Sequence, residues 1–258
     1  RDSLRRDNDR LASTIHDLTR ALHVVDSATG ASLEPPKWLA PKAGGKRHRA
    51  TLVLMLSDLH LDEVVDPAEV DGLNAYDRKI ATARMKAWAV NVVKLARRHL
   101  TGVDYDGVVV FLGGDIFSGD IHEELAQTNE DTILGSLLYW SEQLAAALSL
   151  LADEFGKVHV AAVPGNHGRM TRKPRAKLRA KTNFDWLLAK MLERHFTGDK
   201  RFTWQVPDSA DCLVTIYGQG HLLTHGDQAS GGGGIGGPAD DQPLGGRGAP
   251  SRGRDREA

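Results

Sequence analysis

With a single cysteine, Cys212, among its 258 residues, the chain can form no internal disulfide and suits a reducing compartment such as the cytoplasm. It has no apolar run near the ~20 residues a membrane helix requires, so no membrane partner is expected. The charged N-terminal stretch also lacks the apolar segment of a secretory signal. Neither sign of charge dominates: 33 Lys and Arg stand against 34 Asp and Glu, for a formal net charge of −1. Overall charge therefore does not draw the chain to nucleic acid, and any such attraction must be local. The glycines of 231–237 are not followed by the Lys-Ser/Thr pair and helix of a phosphate-binding loop. His122-Glu123 is not a zinc-protease motif, because position 126 is Ala. Histidine is absent after His225, and aromatic residues are absent from Ala229 onward. The chain opens on Arg1 rather than Met, which fits a fragment or a processed product.

What is present reads as one large α/β domain with flanking segments. Leu4, Leu11, Ile15, Leu18 and Leu22 recur at helical spacing, which predicts an amphipathic helix over 1–25. Pro35, Pro36, Pro41 and Gly44-Gly45 mark a linker that Trp38 can pin to the core, so 1–49 reads as an N-terminal helix and linker. The domain spans 50–228. Its apolar runs predict buried strands at 51–57, 108–112 and 157–163, and later strands at 202–206, 213–217 and 221–224. Helices are predicted at 76–99, at 123–155 with a break at Gly135, and at 183–196. From Ala229 to Ala258 about a third of the residues are Gly, and this Gly/Arg/Pro-rich tail reads as disordered.

The residues with metal-binding chemistry fall where these strands end. Asp58-Leu59-His60, Gly114-Asp115, Gly165-Asn166-His167 and His225 each follow a predicted strand. Loops at the carboxyl ends of strands are where open α/β sheets bind ligands. Carboxylate, imidazole and amide oxygen together suit divalent Mn, Fe, Zn or Co. Two such ions ~3.5–4 Å apart activate a water and clamp the oxygens of an in-line displacement at phosphorus.

In these blocks and their order, over roughly Thr51 to Gln228, the chain resembles the calcineurin-like metallophosphoesterases. That family's pattern is D-x-H, G-D, G-N-H, a later His, and then G-H-x-H. The resemblance implies a four-layer α/β/β/α sandwich of two mixed sheets. It implies two divalent metal ions, Mn, Fe or Zn. Asp58 and His60 would hold the first, Asn166 and His225 the second, and Asp115 would bridge both. His167 would be catalytic rather than a ligand, giving a proton to the leaving group or stabilising charge there. The G-H-x-H block is missing after His225. The sandwich is then expected to be incomplete at its C-terminal end, with each metal one ligand short unless water, substrate or another His fills the gap; His221, inside a predicted strand, is a poor replacement. The stretch 118–125 resembles one found in phage and bacterial members of the superfamily. There His122 either meets substrate phosphate or is an exposed first-turn residue beside a helix capped by Asp120.

The stretch 168–181 carries seven basic residues and no acidic one, directly after the G-N-H block. Arg169 is its best candidate for substrate binding, with Asn74 and Arg78 as weaker ones in the same cleft. Arg binds phosphate through paired N–H groups, although a run of cations is often only a solvated loop. The expected activity is hydrolysis of a phosphate ester by water, of the phosphodiesterase or nuclease kind, with nucleic acid among the candidate substrates. The alternatives are a phosphomonoesterase and a truncated, inactive member that only binds nucleic acid.

Overall fold

The computed structural model describes residues 35–40, 48–100, 102–175 and 177–228. The chain divides into two compact units at His225 and Gly226. The fold and the site described below belong to the first, and of the second only 226–228 are described. The helix expected over 1–25 and the tail from Ala229 lie outside the described residues, as does most of the linker.

Four strands build a parallel sheet in the order β1 (His48–Leu56), β2 (Val103–Leu112), β3 (Val158–Ala162), β4 (Phe202–Gln205). Helices α1 (Arg78–Lys94), α2 (Glu123–Thr128), α3 (Ile133–Phe155) and α4 (Phe184–His195) lie between the strands in sequence. An antiparallel hairpin, β5 (Asp211–Ile216) and β6 (Gln219–Thr224), forms a second, two-stranded sheet. The α/β class read from the sequence is the class observed.

The pleat of β2 divides the core in two. Val108, Val110 and Leu112 pack with Trp140, Leu144, Leu188 and Leu192 of the helices. Val109 and Phe111 face the other way, against Val214, Ile216 and Leu223 of the hairpin. Alternation along a strand sends successive side chains to opposite faces, so one strand serves both layers. Among the described residues the helices α1, α3 and α4 join only the first of these cores. Neither described sheet is mixed: one is wholly parallel and the other antiparallel.

Trp38 anchors the described piece of the linker. It is buried in the hairpin-side core, with its ring 2.8 Å from where a Cβ on Gly107 would stand. The Tyr217 amide donates to Leu39 O at 2.8 Å. The first strand departs from expectation. It is an edge strand rather than a buried one, and Val53 and Met55 are 43% and 55% exposed. The long helical stretch also breaks earlier than Gly135. Asn129 ends α2, and Thr132 caps α3 by accepting from Gly135 N at 3.2 Å. Gly135 lies inside the first turn, where Asp131's carboxylate fills the space a Cβ would need. Among the described residues no helix is long and apolar enough to cross a membrane.

The segment after the first metal-type block is tied down by a buried ion pair. Arg78 Nε and Nη2 donate to the two Asp62 oxygens, each at 2.7 Å, and Nη2 also reaches Asp131 at 3.0 Å. Ser136 Oγ donates to the same Asp62 carboxylate. Arg78, offered by the sequence as a weak substrate contact, thus spends its guanidinium on Asp62 and Asp131, and Asn74 is exposed. Asp62 is 1% exposed, so Arg78→Met strands a buried carboxylate. We expect a loss of about 3 kcal/mol, the low end of the ~3–5 kcal/mol for a broken buried pair, because Ser136 remains. Urea unfolding checks this. Arg78→Met/Asp62→Leu should recover much of the loss, and an unchanged midpoint in Arg78→Met would show the pair to be dispensable.

Candidate metal centre

The loops after β1, β2 and β3 run beside one another and extend the sheet's hydrogen bonding past its strands. Asp58 N donates to Gly114 O at 3.0 Å, His60 N to Asp115 O at 3.1 Å, and Leu61 N to Ile116 O at 2.9 Å. Asp58, His60, Asp62 and Asp115 all take left-handed backbone angles, with φ of 53°, 46°, 71° and 50°. Such angles are costly for residues with a side chain and persist only where surrounding contacts fix them, often at functional sites. Asp58, His60 and Asp115 bring their side chains to the donor groups below, while Asp62 turns to Arg78 and Ser136.

Two glycines let the loops meet. A Cβ on Gly114 would come within 2.5 Å of Gly165 N, and one on Gly165 would overlap the Asp115 carboxylate. The close approach puts the His167 amide 2.7 Å from Asp115 Oδ1, to which it donates.

Two groups of donor atoms result, each with its members within 4.8 Å of one another: Asp58, Asp115 and His225, and His60, Asp115 and His167. Asp115 belongs to both and is 3% exposed. Asn166 joins the first group, its Oδ1 3.1 Å from His225 Nε2. Every sequence-derived metal ligand is therefore gathered here. The grouping, however, sets Asp58 with His225 and brings His167 beside His60, their ring centroids 4.6 Å apart.

The donor set fits divalent cations in a second respect. His225 Nδ1 lies 3.0 Å from Gly113 O, and His167 Nδ1 lies 2.8 Å from Ser118 O. A ring N–H held by a backbone carbonyl fixes the tautomer and leaves the other nitrogen's lone pair free for a metal. His60 Nδ1 stands 3.6 Å from the Glu63 carboxylate, too far for a hydrogen bond. His225 Nε2 faces two oxygens, Asp115 Oδ2 and Asn166 Oδ1, both at 3.1 Å. A proton on Nε2 lets His225 donate to these oxygens, and a cation held among the three atoms would serve them equally.

The titration behaviour follows. Burial disfavours the charged His225, but its hydrogen bond to Asp115, the charges of Asp115 and Asp58, and the Gly113 carbonyl outweigh this and raise its pKa to about 9. Burial likewise disfavours ionised Asp115, yet His225 and the His167 amide hold its pKa below the usual value.

Two residues beside the centre were not singled out by the sequence. Asp185 Oδ2 accepts from Asp115 N and Gly165 N, both at 3.0 Å, and Oδ1 accepts from Ile116 N at 3.2 Å. Asn183 Nδ2 donates to Gly165 O at 2.8 Å, and Asn183 Oδ1 caps α4 by accepting from Asp185 N. A signal was available. Asp185 shares helical spacing with Leu188, Ala189 and Leu192 on the buried face of α4, where a carboxylate is out of place unless it has partners. Burial pushes its pKa up to about 6, against the Gly165 amide and with the help of the Asp115 charge.

The substrate-side candidates fare differently. His122 holds the cap position of α2 without a capping side-chain bond, so neither it nor Asp120 caps that helix. Its ring lies 5.7 Å from that of His167. Arg169 spends three N–H donors on its own loop, bonding Thr171 O at 2.8 Å, Asn166 O at 3.2 Å and Arg172 O at 2.9 Å. It lines a pocket of about 310 Å³ together with Asp120, Ile121, Arg172 and Phe184. His221 is exposed on β6 and belongs to neither donor group.

No family model matches the sequence, and neither a curated protein nor a solved structure does. What the centre does is therefore read from its own donor atoms.

The raised His225 pKa has a testable consequence for the metal-free chain. Between pH 6.5 and about 9 the folded state keeps a proton that the unfolded state has released, so stability falls as pH rises through that window. Urea unfolding in chelator across this range should show the decline, and His225→Gln should flatten it. An equal slope in the variant would assign the proton to another group.

Proposed function

We propose that this chain is a metal-dependent phosphoesterase of the calcineurin-like kind, hydrolysing phosphate esters at a centre for two divalent ions, Mn, Fe or Zn. The observation that carries the reading is Asp115, a buried carboxylate shared by two sets of donor atoms. A carboxylate common to two sets is what a pair of neighbouring cations needs, since its charge offsets their repulsion. In this reading Asp58, Asn166 and His225 hold one ion with Asp115, and His60 holds the other with it. The fold that accompanies it is a four-layer α/β/β/α sandwich, to which the described residues contribute a helical layer and two sheets.

When bound, the two ions supply Lewis acidity: they lower the pKa of a water and offset charge on the phosphate oxygens. The chain's own residues do the rest. The paired loops hold the ligand atoms in fixed positions, so little reorganisation is required during the reaction. Water adds to phosphorus, the bond from phosphorus to the ester oxygen breaks, and that oxygen takes a proton from His167. Ser118 O holds His167 Nδ1 and leaves Nε2 to carry that proton. His122, beside His167, and Arg169, above the Asn166 carbonyl, border the substrate side.

The exposed Arg172, Lys173, Arg175 and Lys177 favour a polyanionic substrate, and hence a phosphodiesterase or nuclease, over a small monoester. The lone buried Cys212 suits action in the reducing cytoplasm.

The test is metal content and turnover of bis(4-nitrophenyl) phosphate, 4-nitrophenyl phosphate and single-stranded DNA. Asp115→Asn should lose most bound metal and all turnover. His167→Ala should keep its metal while turnover falls ~10²–10⁴-fold, the usual range for proton transfer by a side chain. Loss of metal in His167→Ala would make His167 a ligand. Unchanged metal in Asp115→Asn would remove the bridge, and binding of DNA without turnover of any ester would favour a binding protein.

A further inference from the structure

Asp185 is 4% exposed, and two turns that lie about fifty residues apart in sequence converge on its carboxylate. Those turns carry Asp115, common to both donor sets, and Asn166. Resting on the two-metal reading above, we propose that Asp185 is a positioning residue of that centre, clasping the two ligand-bearing turns together and thereby setting the affinity for the divalent ions.

Two physical effects act together. The first is geometric. Hydrogen bonds to an ionised acceptor are about twice as strong as neutral ones, and three of them fix the amides of Asp115, Ile116 and Gly165 to a single side chain. Asn183 closes the frame by donating to Gly165 O at 2.8 Å while accepting from Asp185 N at 2.8 Å. The turns have little freedom to rearrange around another spacing, because Gly114 and Gly165 already touch.

The second effect is electrostatic. Two divalent ions bring four positive charges, of which the ligand carboxylates Asp58 and Asp115 offset half. Asp185 adds a negative charge directly behind the bridging residue, in an interior where water screens it poorly. An amide at position 185 removes that charge and turns one acceptor into a donor aimed at a backbone N–H.

Asp185→Asn in the full chain tests the assignment, with Mn²⁺ alone as the probe in titration calorimetry. Removing a group that supports metal ligands typically weakens metal binding ~10–100-fold, and we expect a loss of that size. At saturating Mn²⁺, kcat for bis(4-nitrophenyl) phosphate should fall while KM holds, since Asp185 does not face substrate. A parent chain that takes up no Mn²⁺ overturns the metal reading itself. A parent that binds Mn²⁺ while Asp185→Asn binds it equally tightly overturns only the role of Asp185. Hydrogen exchange on the metal-free parent guards against a variant that fails to fold. The amides of Asp115, Ile116 and Gly165 should already be strongly protected before any metal is added, and rapid exchange there would refute the clasp.

Discussion

The Gly114-Asp115 and Gly165-Asn166 turns approach so closely that a side chain on either glycine would collide with the other turn. Everything proposed for this protein depends on that approach. It sets Asp115 Oδ1 against the His167 amide and leaves Oδ2 facing His225 Nε2. Beside it, Asp58, His60 and Asp115 keep left-handed backbone angles, and the amides of Asp58 and His60 bond the carbonyls of Gly114 and Asp115. The parallel sheet supplies the common starting line, because three adjacent strands deliver their carboxyl ends to one place.

The charge of buried Asp115 is balanced by a protonated His225 at its Oδ2. His225 Nε2 faces two oxygens and keeps its proton to about pH 9. A divalent ion at the same atoms would displace that proton, so on the proposed reading metal and proton would compete for the site. Among the described residues the donors are Asp58, His60, Asp115, Asn166, His167 and His225. In the proposed reading Asp58, Asn166 and His225 would serve one ion with Asp115 and His60 the other, while His167 would keep its Nε2 for the leaving group. Water or substrate atoms complete the coordination of each ion in this account.

Much of this was legible in the sequence because apolar runs and strand-end polar residues obey local rules. Asp58, Asp115, Asn166 and His225 each follow a strand, and the structure gathers them. What was not legible depends on which partners the folded chain gives each residue. The run at 51–57 is as apolar as a central strand, yet it became the sheet edge, with Val53 and Met55 exposed, because nothing described pairs beyond it. Gly135 looked like a helix break, but Asp131 fills its missing side chain and Thr132 starts the helix before it. Arg78 and Arg169 were offered as substrate contacts, and the sequence did not show that both guanidinium groups have partners within the chain. One is held by a buried Asp62 and the other by carbonyls of its own loop, partners that composition cannot reveal. Asp185 was hidden for the opposite reason: an acid in the first turn of a helix is ordinary, and only its place on the buried stripe of α4 marks it as unusual.

The claim that Asp115 bridges two cations is tested most directly by diffraction from crystals grown with Mn²⁺, at a wavelength where manganese scatters anomalously. The account predicts two anomalous peaks ~3.5–4 Å apart, with one Asp115 oxygen or both touching each. One peak should lie against Asp58, Asn166 and His225, and the other against His60. A single peak, or two peaks of which neither touches Asp115, would contradict it.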